Sequence, residues 1–365
     1  MKNMPTIGDV YKAINEIAPF SLAEDWDNVG LLIGSKDQQA ARVLTALDAT
    51  DAVIDEAAQW GAQLIVTHHP VIFSPLKAIP ADSTVYRLIR QGIGVISAHT
   101  NLDIADGGVN DQLARLLGLT DLRPLKVTAE EPCFKVAVTV PPLQAEAVYT
   151  AMVGAGAGAL GEYSHCAFLV KGEGRFKPLE AANPTIGTAG RLEQLEEVRL
   201  EMLVAPDRLD AVVDAMLAAH PYETPAYDIF QNYGCKARSA LGRVGTLEQP
   251  MTPQALAERV KERLGVGGLK YTPGCGEITT VAVCGGGAAE YIYTAKEQGA
   301  QALVTGESKH HLLLEADRLG LTLIDAGHFA TETVVLEPFS KKLEALLPGI
   351  VARVAASNTD GVRYL

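Results

Sequence analysis

Short apolar segments alternate with helix-like segments in two separate stretches of the chain. The predicted strands of the first stretch are 43–47, 63–67 and 94–98, and those of the second stretch are 280–284, 302–305 and 321–324. Strands that alternate with helices are typical of a mainly parallel sheet covered by helices. The pattern therefore predicts an α/β fold in which residues 1–128 and 239–365 are two similar α/β halves of a split core.

The segment between these halves, residues 129–238, has a different order of predicted elements. They are strand 133–140, helix 143–153, a strand near 164–170, a second short strand near 173–178, strand 198–204, helix 207–219 and strand 226–231. This order is close to β-α-β-β-α-β, which is typical of a ferredoxin-like α+β domain. We therefore expect a ferredoxin-like insertion between the two halves.

Two adjacent histidines, His68 and His69, follow the predicted strand 63–67, which Pro70 ends because proline has no N–H for the ladder. Ligands bind at the carboxyl ends of strands in open α/β sheets. Neighbouring strand residues point to opposite sides, so these two imidazoles could serve two metal ions. The pair alone is ambiguous, because neutral imidazole is both the commonest metal ligand and a common core group.

Two further groups of polar residues follow other predicted strands. His99 and Asp103 come after strand 94–98, and a carboxylate among histidines is a normal ligand set for zinc, iron or manganese. Taken alone, Asp103 is more typical of a loop turn. His328 and Glu332 are four residues apart and share one face at the start of a helix. Together the three groups predict a two-metal site with ions about 3.5–4 Å apart.

Two other motifs carry weaker signals. The glycines Gly285–Gly287 follow a predicted strand as in a phosphate-binding turn, but Glu290 replaces the third glycine of a dinucleotide fingerprint. We expect at most an anion facing the backbone N–H groups of this turn. We expect Asp27 to stabilise a turn or to cap a helix.

Composition excludes several classes of protein. The formal net charge of −13 disfavours non-specific binding of nucleic acid, which depends on cationic contacts to phosphate. No apolar run reaches the ~18 residues that a membrane span needs, and the start lacks a signal-peptide pattern, so we expect a cytoplasmic protein. The five cysteines form no close CxxC pair, which argues against a disulfide framework or a zinc ribbon: Cys133, Cys166, Cys235, Cys275 and Cys284. We expect them to be reduced.

Five motifs together resemble the NIF-three-like family of dinuclear metal-centre proteins, also described as GTP cyclohydrolase I type 2 homologs. The motifs lie at 26–31 (Trp-Asp-Asn-Val-Gly-Leu), 67–70 (Thr-His-His-Pro), 99–103 (His-Thr-Asn-Leu-Asp), 306–311 and 325–332. The resemblance implies two divalent ions, zinc, iron or manganese, bound by His68, His69, Asp103, His328 and a bridging Glu332. It leaves His99, His310 and His311 as residues that support the ligands or contact the substrate.

The predicted insertion contains the stretch His220-Pro-Tyr-Glu-Thr-Pro225. This stretch resembles the middle domain of longer family members, which is similar to copper-tolerance A and PII-type signalling proteins. Those relatives are trimers and family members form hexameric rings. The resemblance therefore implies a homohexameric ring with trimers formed through the insertion.

The leading functional hypothesis is a metal-dependent hydrolase that acts on a nucleotide or a related small molecule. Two ions would lower the pKa of a shared water toward neutrality, and His99, Lys309 or His311 would stabilise developing charge or move protons. Ring opening of GTP fits this chemistry, although the sequence has no clear guanine-reading motif. The alternative is a regulatory or scaffold ring protein that binds metal without catalysis and senses a small molecule through the insertion. The acidic net charge disfavours a third interpretation, nucleic-acid binding.

Overall fold

The computed structural model of the chain describes residues 4–274 and 276–363. The chain divides into two compact units. The first unit contains the chain up to Thr128 and again from Ser239, and the second unit is Ala129–Arg238. Cys275 lies outside the described residues, so its expected reduced state is not addressed by the structure.

The helices have the following bounds in chain order: α1 (Ile7–Ile17), α2 (Asp51–Trp60), α3 (Thr84–Gln91), α4 (Thr100–Ile104), α5 (Val109–Leu116), α6 (Ala145–Gly154), α7 (Leu209–Ala219), α8 (Pro253–Leu264), α9 (Ile292–Glu297), α10 (His310–Arg318), α11 (His328–Glu332) and α12 (Leu336–Leu346). Single 3₁₀ turns occur at Phe20–Leu22, Pro142–Gln144, Pro206–Arg208, Ala289–Tyr291 and Thr333–Val335. Over the described part of the chain, no helix has the length and apolarity to cross a membrane.

The strands, also in chain order, are β1 (Gly30–Ile33), β2 (Arg42–Ala46), β3 (Leu64–Thr67), β4 (Gly94–Ser97), β5 (Leu119–Val140), β6 (Ala167–Phe176), β7 (Glu193–Val204), β8 (Tyr227–Met251), β9 (Lys270–Tyr271), β10 (Ile278–Val283), β11 (Ala302–Thr305), β12 (Thr322–Asp325) and β13 (Val351–Val354).

One sheet of the first unit has the strand order β1-β4-β3-β2-β13. Strands β13, β2, β3 and β4 are parallel, and β1 is antiparallel to β4. Every residue of β3 and β4 is buried, as expected for parallel strands covered on both faces. Thr67 pairs with Ser97 at the ends of these two strands, so the residues that follow them emerge at the same edge of the sheet.

The other sheet of the first unit contains strands in the order β8-β10-β11-β12-β9. Strands β10, β11 and β12 are parallel, with β8 and β9 antiparallel at the two flanks. Two mainly parallel sheets with intervening helices confirm the predicted α/β class.

Three details of the first unit were not predicted from the sequence. Strand β13 was not expected, and it pairs with β2, so the last part of the chain completes the sheet of the first half. Helix α1, for which the sequence analysis gave no bounds, begins at Ile7, where Thr6 and Asp9 form a reciprocal capping box. Asp103, which taken alone is more typical of a loop turn, lies in helix α4.

The second unit contains the part of β5 from Ala129 onward, α6, β6, β7, α7 and the part of β8 up to Arg238, with strand order β6-β7-β5-β8. Strand β7 is antiparallel to both β5 and β6. A single strand β6 replaces the two short strands expected near 164–170 and 173–178, and its pairing with β7 is unbroken from Ala167 to Phe176. Helices α6 and α7 supply Val148, Met152, Val212 and Met216 to a core shared with β5 and β7.

Two cysteines distant in sequence meet in the second unit. The Sγ atoms of Cys133 and Cys235 lie 3.1 Å apart because β5 and β8 are neighbours in the sheet. Both are free thiols, as are Cys166 and Cys284. Burial and the neighbouring thiol of Cys235 raise the pKa of Cys133 to about 12, which keeps this thiol protonated and a poor nucleophile.

Candidate metal centre

The histidines of the predicted site follow strand ends in the first unit. His68 and His69 directly follow β3, and His99 follows β4 and caps α4. His328 is the first residue of α11, which begins shortly after β12. Gly327, with φ of 92°, makes the turn between this strand and the helix, a conformation that favours glycine.

The Nδ1 atom of each imidazole is held by an oxygen acceptor. The partners are the Ala98 carbonyl for His68 at 2.9 Å, Asp48 Oδ1 for His69 at 2.9 Å, Asp27 Oδ1 for His99 at 2.9 Å and Glu307 Oε1 for His328 at 3.0 Å. Because carbonyl and carboxylate oxygens only accept, each ring donates from Nδ1. In the neutral form, each ring therefore has a lone pair on Nε2. This neutral tautomer is the one that can bind a metal through Nε2.

Three of these Nε2 atoms converge on Glu332, which is only 4% exposed. Glu332 Oε2 lies 3.0 Å from Nε2 of His69 and 3.1 Å from Nε2 of His328. Glu332 Oε1 lies 3.8 Å from Nε2 of His68. The two oxygens of one carboxylate thus face different histidines.

This arrangement leaves buried polar atoms unsatisfied. Nε2 of His68 and Oε2 of Glu332 are buried without a hydrogen-bond partner. Oε2 is close to two imidazoles, but their Nε2 atoms carry no proton in the neutral form. Ligand atoms about 2.0–2.1 Å from one tetrahedral ion lie roughly 3.3 Å from each other, which is close to the observed separations. The donor set therefore fits a metal ion.

Asp103 adds a second carboxylate from α4. Its Oδ1 atom lies 3.6 Å from Nε2 of His68. Burial, reinforced by the negative charge of Glu332, raises the pKa of Asp103 well above its usual range. A bound cation would remove this penalty on the ionised form.

The pKa values of two of the histidines are raised, which shows that the neighbouring carboxylates favour positive charge at this site. Burial lowers the pKa of His68 to about 4, so this ring is neutral at pH 7. Burial also acts to lower the pKa of His69, but the hydrogen bond with Asp48 and the adjacent carboxylate of Glu332 outweigh it and raise the value to about 10. The adjacent carboxylate of Glu332 raises the pKa of His328 to about 9. The carboxylates thus attract protons to these rings when no other cation is present.

Glycines make room for the Glu332 carboxylate. A Cβ atom on Gly286 would lie 2.2 Å from Glu332 Oε1, and one on Gly306 would lie 2.7 Å from the Cα of His328. The N–H groups of Gly285 and Gly286 donate to Asn110 Oδ1 and Thr331 Oγ1. Two of the three glycine N–H groups of this turn therefore already have partners inside the protein, and anion binding by the turn stays a prediction.

Two groups of three residues place their ligand atoms within 4.8 Å of one another: His68, His69 and His99, and His69, His328 and Glu332. His99 is predicted from the sequence to support the ligands or to move protons, whereas in the structure its ring lies among the candidate ligands. The ring centroids of His68 and His99 are 5.1 Å apart.

Three carboxylates around the centre were missed or misread. Asp27, interpreted as a turn residue, accepts hydrogen bonds from Nδ1 of His99 and the backbone N–H of Thr100. Asp48 and Glu307 hold His69 and His328. Asp48 follows β2 of one sheet and Glu307 follows β11 of the other, and this position after a strand was the signal available in the sequence.

Lys309 and His311 lie in the wall of a cavity of about 920 Å³. The candidate ligands His69, Asp103 and Glu332 line a different cavity of about 500 Å³, together with His99. His328 lines both cavities. His310 begins α10 and is exposed to solvent.

A family model for Duf34/NIF3 (NGG1p interacting factor 3) matches residues 5–360. The chain belongs to the Duf34/NIF3 family. This confirms the resemblance inferred from the five motifs. A Bacillus subtilis relative named GTP cyclohydrolase 1 type 2 homolog is 42% identical over 365 residues, which cover 98% of each chain.

Solved structures of Duf34/NIF3 relatives have the same fold. A Bacillus cereus protein related to NIF3 is 37% identical, with a TM-score of 0.84 and complete coverage of both chains. A Staphylococcus aureus protein is 30% identical, with a TM-score of 0.71 and the same coverage.

Proposed function

We propose that this Duf34/NIF3 protein is a hydrolase with a dinuclear divalent-metal centre and that it acts on a nucleotide or a related small molecule. The ligands are His68, His69, Asp103, His328 and Glu332. The observation that carries this proposal is the position of Glu332, whose Oε1 atom faces His68 while Oε2 faces His69 and His328. A carboxylate in that position could hold two ions, because its two oxygens face different histidines.

The ligand set of imidazoles and carboxylates suits zinc, iron(II) and manganese. When bound, two such ions would supply Lewis-acid activation of a water molecule and of an electrophilic substrate atom. Asp48 and Glu307 fix the orientation of two of the rings. Asp27 holds His99 with its Nε2 free to move a proton or to bind an ion. Lys309 and His311 stabilise negative charge from the adjoining cavity.

A nucleotide substrate is supported by two observations. The 500 Å³ cavity that contains the metal ligands also contains the rings of Trp26 and Phe73, whose centroids are 5.9 Å apart. Aromatic rings of this kind stack on nucleobases. Curated relatives carry the name GTP cyclohydrolase 1 type 2 homolog, so GTP is the first substrate to test.

The deciding experiment compares metal content and turnover in the wild type and Glu332→Gln. The hydrolase proposal expects about two metal equivalents per wild-type chain, turnover of GTP or another nucleotide, and loss of both in the variant. Wild-type protein that fails to bind metal after soaking in zinc, iron(II) or manganese would contradict the metal centre.

The second candidate is a regulatory or scaffold protein that binds metal without catalysis. It is favoured by one observation: residues Ala129–Arg238 form a compact unit of their own and contribute none of the proposed ligands. Two bound ions without turnover across a panel of nucleotides and phosphoesters would support this candidate over the hydrolase.

We propose further that Ala129–Arg238 is a ferredoxin-like insertion of the PII and copper-tolerance A type, a proposal supported by its strand order β6-β7-β5-β8. By resemblance to the family, we also propose a homohexameric ring with trimers formed through this insertion, in the cytoplasm. Sedimentation equilibrium of the full chain tests the hexamer, and a monomer or dimer at micromolar concentration would contradict it.

A further inference from the structure

The second unit contains a cavity of about 260 Å³ that is lined only by its own residues. It lies beside the end of β6, the middle of β7 and the segment after α7. Its wall combines one buried carboxylate, two aromatic rings and apolar side chains: Glu197, Phe176, Tyr222, Pro184 and Ile186. None of these residues belongs to the metal centre.

Glu197 is a buried carboxylate that lacks a cationic partner. The residue is 9% exposed, and its Oε1 atom accepts a hydrogen bond of 3.1 Å from the hydroxyl of Tyr222. Among the described residues, no Lys, Arg or His nitrogen lies within ion-pair distance of this carboxylate. A buried charge is costly unless a partner of opposite charge compensates it.

The position of this carboxylate depends on a glycine of the neighbouring strand. A Cβ atom on Gly174 of β6 would lie 2.2 Å from Glu197 Oε2. Any other residue at position 174 would therefore displace the carboxylate. The glycine preserves the space that Glu197 occupies in the cavity wall.

The nearby imidazole of His220 does not supply the missing charge. Its Nε2 atom donates to the Thr139 carbonyl at 2.9 Å, and its Nδ1 atom accepts from the backbone N–H of Tyr222 at 3.1 Å. Both nitrogens thus have partners in the neutral form. Burial also lowers the pKa of His220, which further disfavours the cation.

Neither of the two cationic side chains in the cavity wall forms an ion pair with Glu197. Arg175 lies 2.7 Å from Glu173. Lys177 is exposed at the rim.

The rings of Phe176 and Tyr222 have centroids 6.1 Å apart at an angle of 56°. Aromatic faces attract organic cations, most strongly where water is excluded.

We propose that this cavity binds a small organic ammonium compound, whose positive group pairs with Glu197 between Phe176 and Tyr222. The apolar part of the ligand contacts Pro184 and Ile186. The exposed Lys177 at the rim can pair with a carboxylate of the ligand. An amino acid or another zwitterion, which carries both an ammonium group and a carboxylate, therefore also fits this cavity. This binding site is independent of the function proposed for the metal centre.

The first test is titration calorimetry of the full-length wild-type protein with n-butylammonium, choline and γ-aminobutyrate. The matched controls are n-butanol, which lacks the charge, and butyrate, which reverses it. Saturable binding of at least one ammonium compound, at least about tenfold tighter than either control, supports the proposal. Absence of saturable binding, or equal binding of n-butanol or butyrate, overturns it.

The second test uses Glu197→Gln, which keeps the shape and the acceptor for Tyr222 but removes the charge. Binding of the ammonium compound should weaken by at least about tenfold, while the metal content stays at the wild-type level. The control is Glu196→Gln, whose exposed side chain pairs with Lys171 outside the cavity. Unchanged binding in a folded Glu197→Gln protein would overturn the proposal. Should this variant not fold, the wild-type comparison with n-butanol decides.

Discussion

Nε2 of His69 lies 3.0 Å from Oε2 of Glu332, while Nδ1 of the same ring is held by Asp48. This separation suits either a proton between the two atoms or a cation bound by both. The same relationship recurs at His328, which is held by Glu307 and lies 3.1 Å from the same oxygen. Glu332 is therefore the residue on which the candidate centre depends.

Replacement of Glu332 by Gln should abolish metal binding at the proposed bridge. The amide has one oxygen instead of two and no charge, so the imidazoles of His69 and His328 lose their common carboxylate. We expect the metal content to fall from about two equivalents to fewer than one, measured by elemental analysis, with circular dichroism unchanged. The control is Glu337→Gln, whose exposed carboxylate pairs with Lys341. Equal metal content in both variants would contradict the bridge.

Replacement of Asp48 by Asn should weaken metal binding without removing a ligand. Asp48 orients His69 through Nδ1, and loss of such a partner typically lowers metal affinity by about 10–100-fold. Competition with a fluorescent chelator measures the affinity. Asp55→Asn is the matched control, because this exposed carboxylate contacts Arg87 rather than the centre. A drop of similar size in both proteins would show that Asp48 does not act through His69.

Replacement of Gly286 by Ala should disrupt the centre through sterics alone. The added Cβ would lie 2.2 Å from Glu332 Oε1, at a residue with φ of 65°. Gly299→Ala is the control, because its φ is 77° and nothing lies within 4 Å of its Cβ. We expect the control to lose about 1–2 kcal/mol of unfolding free energy from backbone strain. The Gly286 variant should lose more stability and also its metal, as measured by urea unfolding and elemental analysis.

The strand ends that carry the candidate metal ligands could be predicted because they depend on simple repeating patterns. Apolar strands that precede His68, His99 and His328 are visible in the sequence, and within each sheet the parallel strands end at the same edge. The partners of the rings were harder to predict. Asp27 lies 72 residues from His99, and only the pairing of β1 with β4 brings the segment containing Asp27 to that edge.

Other features depend on long-range pairing that a local pattern does not contain. Strand β13 has four residues, and nothing in its composition indicates that it pairs with β2 about 300 residues earlier in the chain. The glycines at 285–287 resemble an anion-binding turn locally. The role of Gly286 as space for Glu332 becomes apparent only when β10 and α11 are brought together.

The second unit should lose stability on acidification because His220 is held neutral. Its lowered pKa means that the unfolded chain, with a histidine pKa near 6.5, takes up a proton before the folded chain does. Stability is therefore full above pH 6.5 and falls as the pH drops toward the folded pKa, by at most about 1.4 kcal/mol per pH unit. Urea unfolding at pH 7.5 and 5.5 should show a smaller loss in His220→Gln than in the wild type. An equal loss in both proteins would exclude this role.

Trp26 should contribute to substrate binding more than to metal binding. Its ring is 59% exposed, lies 5.9 Å from that of Phe73 and lines the cavity that contains Glu332. Stacking of one base on an aromatic ring is worth about 1–3 kcal/mol, so Trp26→Leu should raise the KM for a nucleotide by roughly 5–150-fold. The kcat and the metal content should change little.

The control for Trp26 is Trp60→Phe, which alters the other tryptophan of the chain, at the end of α2. This variant also leaves Trp26 as the sole tryptophan, so quenching of its emission by added GTP measures binding directly. Steady-state kinetics of both variants then separates KM from kcat. Loss of metal in Trp26→Leu would instead mean that Trp26 acts by positioning His99, whose ring lies 6.0 Å away in an edge-on contact. An unchanged KM would exclude stacking of the substrate on Trp26.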